Sequence, residues 1–475
     1  MSRARDPRAG LPPVWPRPLA ATIRRRGRAR TVFVLDDDPT GTQTVRRIPV
    51  LIDPSAEELA HTLRRSVPLA FILTNSRSLP ADRAVALAQR LGSRIARASK
   101  ATGRGIELIS RSDSTLRGHF PAEVDAIAGA VGLEEAPILL MPYLGDAGRI
   151  TIGDVHYVVR DDVPVPVAET EYARDPAFAY RESNLREWAA ARLFDQPARP
   201  VVSVALDVIR AHGPDAVRAE LAALPPRAIC VVNAADDRDA EVVAAAVVEL
   251  ERSGRPILAR TAAGYVRARA GQARQPDLRS VDLPVPSGPG LVVVGSHVPM
   301  TTRQLQRLIN SPPLPLELVE IDAATAGEPR RARRTVEAAR TKVGALLEAG
   351  VTPVVATSRG LVQPSGSDPT GLQVAEQVSS MLIAAIAEAR VRPAWIVAKG
   401  GITSSDMATR ALQMKSALVL GQLLPGVPVW RVRPRTSRRG MLLVVFPGNV
   451  GDEDALRRAV ATLAVASERR RDEGR

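Results

Sequence analysis

Short apolar runs that end on polar turns and give way to amphipathic helices recur along this chain, and that alternation restricts it to a largely parallel α/β architecture. The first run is Thr31–Leu35, followed by Leu69–Thr74, Ile106–Ser110 and Pro137–Met141, with helices predicted over Ala81–Lys100 and Pro121–Val131. Val201–Leu206, Ala228–Asn233 and Pro256–Ala259 then alternate with helices near Asp215–Ala223 and over Asp239–Arg252. A second series comprises Leu291–Gly295, Leu316–Ile321, Val351–Thr357, Trp395–Ala398, Val427–Val432 and Leu442–Phe446, with helices over Arg330–Glu348 and Asp454–Ala466. Aromatic residues are only 3% of the chain against 45% hydrophobic, so the core has to be filled by Val, Leu, Ile and Ala, as in sheets covered by helices on both faces.

At 475 residues the chain exceeds what one core usually serves. The segment Gln275–Gly290 carries four prolines and two glycines without periodicity, which marks a linker. The expected organisation is a disordered Arg/Pro-rich arm over 1–30, a first domain over 31–275, a linker over 276–290, a second domain over 291–467 and a charged tail over 468–475. Each domain is expected to be a mainly parallel sheet flanked by helices, with an active-site cleft between the two. No short-period repeat suggests a solenoid.

The formal charge of +14 raises the question of a nucleic-acid partner. Of the 65 basic residues 61 are Arg and 4 are Lys, and they spread through every region without gathering beside aromatics, so no nucleic-acid partner is predicted. The arginine runs at 24–28 and 469–471 read as solvated termini. A lone Cys230 in an apolar run excludes an intrachain disulfide and reads as a buried, inert thiol. No stretch of eighteen apolar residues and no secretory leader is visible, so a soluble cytoplasmic protein without a membrane partner is expected.

Three polar clusters follow apolar strands in the first half, where open α/β sheets gather ligands. The first is Asp36-Asp37-Asp38-Pro39-Thr40-Gly41-Thr42-Gln43. An Asx-rich turn needs only one or two of these residues, and three adjacent carboxylates repel one another unless something compensates them. One of them accepting the proton of an attacking hydroxyl during phosphoryl transfer would use the arrangement, and the residues alone do not say which. Ser76-Arg77 after the second run and Arg111-Ser112-Asp113-Ser114-Thr115-Leu116-Arg117-Gly118 after the third offer guanidinium forks and hydroxyls suited to an anionic, polyhydroxylated ligand. Taken alone, Ser76-Arg77 reads better as a helix cap with a surface arginine, and a lone Asp-Ser-Thr would merely cap a helix; three such clusters in one domain favour a site.

The pattern GxxxxGK[ST] is absent, which excludes a P-loop, and no GxGxxG with a suitably spaced acid supports a dehydrogenase. In the second half, Gly295-Ser296-His297, Lys399-Gly400-Gly401-Ile402-Thr403-Ser404 and Pro447-Gly448-Asn449-Val450-Gly451 each follow a strand, and glycine turns there let backbone N–H groups approach phosphates. No histidine pair has metal-binding spacing, and no metal ligand is assigned.

Together, Asp37–Gly41, Ser76-Arg77, Asp113–Gly118 and Gly148–Thr151 in the first half, and the Gly295-Ser296 turn with Thr302 and Gln304, the Gly400-Gly401 loop and the Gly448-Asn449 loop in the second, resemble the four-carbon acid sugar kinases over about residues 31–460. The resemblance implies an amino-terminal substrate domain, a carboxyl-terminal nucleotide domain and ATP- and Mg2+-dependent phosphorylation of a sugar acid such as threonate, erythronate or 3-oxo-tetronate. It implies Asp37 or Asp38 near the acceptor hydroxyl. Thr40, Gly41, Ser76, Arg77, Arg111, Asp113, Ser114 and Arg117 would surround the substrate. Ser296, Lys399, Gly400, Gly401, Ile402, Thr403, Gly448 and Asn449 would surround ATP. The chain departs from the family pattern at Arg111 for a lysine, at Val298 for a serine and at Phe446-Pro447 for Lys-Ser, a loss that Lys399 would make good from the neighbouring loop. A related branched or oxo acid as substrate, a non-catalytic sensor, and a homodimer as the assembly remain open at this level.

Overall fold

The computed structural model describes residues 6–193, 199–359, 372–386, 391–432 and 440–472. The chain falls into two units, Met1–Gln275 and Pro276–Arg475.

The first unit contains strands β1 (Thr31–Asp36), β2 (Pro49–Ile52), β3 (Leu69–Leu73), β4 (Ile106–Arg111), β5 (Ile138–Met141), β6 (Arg149–Ile152), β7 (Val155–Arg160), β8 (Val163–Pro166), β9 (Val201–Val204), β10 (Ile229–Val232) and β11 (Leu258–Thr261). Its helices are α1 (Ala20–Arg26), α2 (Ala56–Arg64), α3 (Ala81–Thr102), α4 (Ala122–Val131), α5 (Leu185–Ala191), α6 (Gly213–Ala222), α7 (Asp237–Arg252) and α8 (Ala263–Arg269). The main sheet has the order β2-β3-β1-β4-β11-β5-β10-β9 with every pair parallel. Strand β1 is buried along its whole length, which is why it reads as a continuous apolar run. Helix α3 buries Ala84, Ala88, Leu91, Ile95 and Ala98, a stripe spaced by three and four residues, and Ser55 with Glu58 closes a capping box at the start of α2. The chain leaves β1 toward β3 on one side and β4 on the other, so the strand order reverses at β1 and its carboxyl end opens a crevice.

The second unit contains β12 (Gly290–Val294), β13 (Leu316–Ile321), β14 (Thr352–Thr357), β15 (Trp395–Lys399), β16 (Ser416–Leu424), β17 (Val427–Val432) and β18 (Met441–Phe446). Helices α9 (Pro299–Asn310), α10 (Pro329–Glu348), α11 (Leu372–Ile386), α12 (Gly401–Asp406) and α13 (Ala455–Asp472) accompany them. Strands β13-β14-β12-β15-β18 are parallel, while β17 and β16 continue the order antiparallel. Here too the order reverses at the first strand of the unit, β12. Val292, Val397, Trp395, Leu442 and Phe446 form its core with Leu456, Val460 and Leu463 of α13.

The α/β class and the parallel sheets agree with the sequence reading, and four details differ. Residues 20–26 are helical where disorder was expected: Ile23 is 1% exposed, and Leu19 N donates to Glu241 Oε2 at 2.8 Å. Arginine-rich flanks hid one apolar anchor. The expected linker buries Leu278, Leu283 and Val285, so its prolines set a path across the second unit's core. Residues 468–472 complete α13, and the rest of the expected tail lies outside the described residues. The short β2, the antiparallel trio β6-β7-β8 and the long β16 were not foreseen, because each is too short, or too interrupted by glycine and charge, to stand out as an apolar run.

Candidate active site

At the carboxyl ends of β1, β3 and β4 the structure gathers four carboxylates and three arginines. Asp36 and Arg111 are register partners in the parallel β1–β4 ladder, and Arg111 Nη1 donates to Asp36 Oδ1 at 2.9 Å while standing 3.6 Å from Asp37 Oδ1. Gly41 fits over this pair because a Cβ there would lie 2.2 Å from Asp36 Oδ1. Arg77, from the turn after β3, donates to Asp38 and stands 3.2 Å from Asp113 Oδ1. Asp113 also accepts from Thr115 and, at 2.8 Å, from Arg117 Nε. Asp38 Oδ1 accepts the Thr40 N–H at 2.8 Å.

These contacts divide the carboxylates by role. Asp38 and Asp113 are held below the usual carboxylate range: burial works the other way, and the guanidinium charges with the Thr40 and Thr115 hydrogen bonds outweigh it. Asp36 is pushed up to about 7 by burial, against the Arg111 charge. Asp37, 3% exposed, is raised chiefly by burial, and neither of its oxygens accepts a hydrogen bond. An unsatisfied buried carboxylate is costly, and such a group is the one that gains most from a hydroxyl placed against it.

Sequence reading missed two further side chains beside Asp37. Arg260, in β11, is 1% exposed; its Nη2 donates to Arg117 O at 3.1 Å and its Nη1 is buried with no hydrogen-bond partner. Its guanidinium lies 5.5 Å from the Phe120 ring centre and 5.9 Å from that of Trp188, and burial lowers its pKa to about 10 against the Asp37 and Glu123 charges. A Cβ at Gly118 would lie 3.3 Å from both Arg260 Nη2 and Asp37 Oδ2, so this glycine leaves open the space between them. Glu123, in the first turn of α4, is pushed up to about 7 by burial, and it lines with Asp37, Thr74 and Ser76 a cavity of about 10 Å3. Arg260 carried the same signal as Arg77, an arginine closing an apolar run, whereas Glu123 resembled any helix-capping acid. Ser76 is fully buried, and Ser114 is 7% exposed with its carbonyl accepting from His156 Nε2 at 2.8 Å.

In the second unit the loops after β12, β15 and β18 meet. A Cβ at Gly295 would lie 2.3 Å from Thr403 Oγ1 and one at Gly448 2.5 Å from Ser296 Oγ. Thr301 Oγ1 donates to Gly448 O at 2.7 Å, and Gln304 Nε2 ties down Val450 O and Asp452 O at 3.0 and 2.7 Å. Ser296, Gly400, Thr403 and Gly448 thus lie together, whereas Ile402 and Asn449 are exposed and Gly401 is half-buried. Lys399 is fully buried: its Nζ donates to Pro447 O at 2.6 Å, 3.9 Å from the Phe446 ring centre, and burial lowers its pKa to about 7. It braces the 447 loop from beneath. Arg359, unnoticed in the sequence, follows β14 and donates to Ser296 O and Thr302 Oγ1, while its Nη1 is buried without a hydrogen-bond partner. Among the described residues no three His, Cys, Asp or Glu side chains gather into a metal site, and no helix is long and apolar enough to cross a membrane.

Residues 32–269 match the family model of a sugar-binding N-terminal domain, and residues 291–456 that of a nucleotide-binding C-terminal domain. The chain is 27% identical over 459 residues to the D-threonate kinase of Bordetella bronchiseptica, covering 91% of this chain and 97% of that one. It is 28% identical over 207 residues to the D-erythronate kinase of Heliobacterium modesticaldum, 42% of each chain. Among solved structures, a Haemophilus influenzae protein superposes with a TM-score of 0.61 at 22% identity, over 91% of this chain and all of that one. A Salmonella typhimurium protein described as a putative tRNA synthase gives 0.64 at 20% identity over 90% and 98%, and at such identities both show the fold alone. With both domain models matched in order along the sequence, the chain belongs to the four-carbon acid sugar kinase family.

Proposed function

We propose that this protein transfers the γ-phosphoryl group of ATP to a hydroxyl of a four-carbon sugar acid of the threonate, erythronate or 3-oxo-tetronate class. The observation that carries the reading is Asp37: buried at a strand end, with neither oxygen accepting a hydrogen bond, while Arg77, Arg111 and Arg117 each pair with another carboxylate. Its carboxylate takes the proton of the acceptor hydroxyl as that oxygen bonds to the γ-phosphorus and the bond to the β-phosphate oxygen breaks, releasing ADP. Burial raises the basicity of Asp37, and Arg111 at 3.6 Å keeps the carboxylate accessible as an anion. Arg77 and Arg117 are committed to Asp38 and Asp113, so the buried, half-matched Arg260 is the better receptor for the substrate carboxylate. Ser76 and Thr40 supply hydroxyls for the remaining polar groups.

ATP fits the loops of the second unit, where Gly295 and Gly448 let the three strand-end turns pack closely together and Arg359 offers an unmatched N–H beside Ser296. Mg2+ would accompany ATP there and would supply neutralisation of the phosphate charge during transfer. The test is ADP release from purified protein with ATP, Mg2+ and a panel of four-carbon acids, including branched and oxo forms. Turnover with at least one acid supports the reading. ATP and acid binding without ADP release favours a sensor and overturns it.

A further inference from the structure

A cavity of about 560 Å3 lies at the amino ends of β1, β2 and β3, the end of the first unit's sheet away from Asp37. Strand β1 is six residues long, which separates the two ends by roughly 20 Å. Arg24, Arg28, Arg46, Arg47 and Arg269 line the cavity against an apolar wall that includes Ile48 and Leu69, and none of the lining residues is acidic. Arg269 is 4% exposed and already answered, since its Nη2 donates to Glu107 and, at 2.9 Å, to Glu251. Arg24 Nη1 donates to Gly271 O at 3.1 Å. Arg28 and Arg47 are exposed, and among the described residues neither meets a carboxylate.

The cavity is built by the segment that sequence reading assigned to disorder. Helix α1 is seated by buried Ile23, by the Arg26–Glu249 ion pair at 2.7 Å and at Gly271, where a Cβ would lie 2.6 Å from Ala20 O. Residues 23–28, which form one wall, precede the part of the chain that matches the sugar-binding domain.

Guanidinium forks match phosphate oxygens in pairs, and unanswered like charges around one hollow favour an anion entering it. The volume is that of a small-molecule site, larger than an inorganic ion needs, and the aliphatic wall suits a ring or other apolar body. We propose that this cavity binds an organic phosphate with an apolar or ring body, the chemical class of a nucleotide, separately from the glycine loops of the second unit.

The probe is ADP, titrated calorimetrically into the full-length chain at low salt, with the double variant Arg28→Glu/Arg47→Glu alongside. Both positions are exposed, so the variant is expected to keep the wild-type unfolding temperature. The expected result is two ADP sites per wild-type chain, one of them weakened at least tenfold in the variant while Gly448→Val weakens the other. Unchanged ADP stoichiometry and affinity in Arg28→Glu/Arg47→Glu overturns the proposal. So does inorganic pyrophosphate binding the Arg28- and Arg47-dependent site as tightly as ADP, because the apolar wall would then contribute nothing. Loss of the Gly448-dependent site alone bears on the proposed kinase reaction and leaves this cavity untouched.

Discussion

Asp36 and Arg111 face each other across the parallel β1–β4 ladder, with Arg111 Nη1 2.9 Å from Asp36 Oδ1. Both side chains are almost completely buried, so the guanidinium both holds the β1 turn in place and answers the charge that Asp37 shares. Removing the cation would leave buried carboxylates unmatched. Arg111→Met should therefore lower unfolding free energy by about 3–5 kcal/mol in urea denaturation. Arg111→Lys, which keeps the charge but not the fork, should cost clearly less, and equal losses in the two variants would refute the account.

Asp37→Asn is nearly isosteric but has no carboxylate to receive a proton. Its kcat should fall about 10²- to 10⁴-fold, with the unfolding temperature unchanged or higher because a poorly matched buried acid has been removed. Asp38→Asn should behave differently, losing stability together with activity, since Asp38 orients Arg77 and Thr40. A fully active Asp37→Asn enzyme would remove the proposed base.

For Arg260, the substrate carboxylate predicts a loss concentrated in binding. Arg260→Met should raise KM for the acid at least tenfold while leaving KM for ATP within twofold, and Arg260→Lys should recover part of the difference, on the scale of ~1.5–3 kcal/mol for a charged hydrogen bond. Parallel changes in both KM values would point to a structural disturbance instead.

Crowding at the second-unit loops makes Gly448→Val a specific probe. Its Cβ would meet Ser296 Oγ at 2.5 Å, inside any normal contact, so the loop must shift. ADP affinity at that site should drop at least tenfold in calorimetry, with the secondary-structure signal of the chain preserved.

Lys399 gives a pH signature. Its folded pKa is lowered to about 7 from 10.5, so the unfolded chain holds a proton that the native state has released between those values. Stability from this residue is present above 10.5 and lost progressively as pH falls from there through 7, by on the order of 5 kcal/mol. The stability advantage of Lys399→Met over wild type should accordingly be greatest near pH 6 and shrink toward pH 10. A gap that does not vary with pH would contradict this. Loss of the bond to Pro447 O shifts the whole curve without altering its slope.

The strand-rich core was legible because buried parallel strands such as β1, β3 and β12 are mostly apolar along their length. The polar turns after them were legible for the same reason, since each interrupts such a run abruptly, and the structure does gather Asp36–Asp38, Ser76-Arg77 and Arg111–Arg117. Arg260 escaped notice because its significance lies in β11 being inserted beside β4, a pairing across about 150 residues that no local pattern encodes. Helix α1 escaped because a single buried isoleucine among arginines leaves no periodic stripe. The differences within the acidic turn were likewise hidden: Asp36, Asp37 and Asp38 are neighbours in sequence, and only the folded contacts tell them apart, Asp38 pairing with Arg77, Asp36 accepting from Arg111 and Asp37 accepting no hydrogen bond.

The scarcity of lysine turns Lys399 into a reporter. Lys100, Lys342 and Lys415 project from the surface, whereas Lys399 is sealed beneath the 447 loop, so amine-selective acylation should label three side chains at once and the fourth only when the end of β15 breathes open. Mass-spectrometric footprinting of that one amine would time local opening of the second unit without any introduced label.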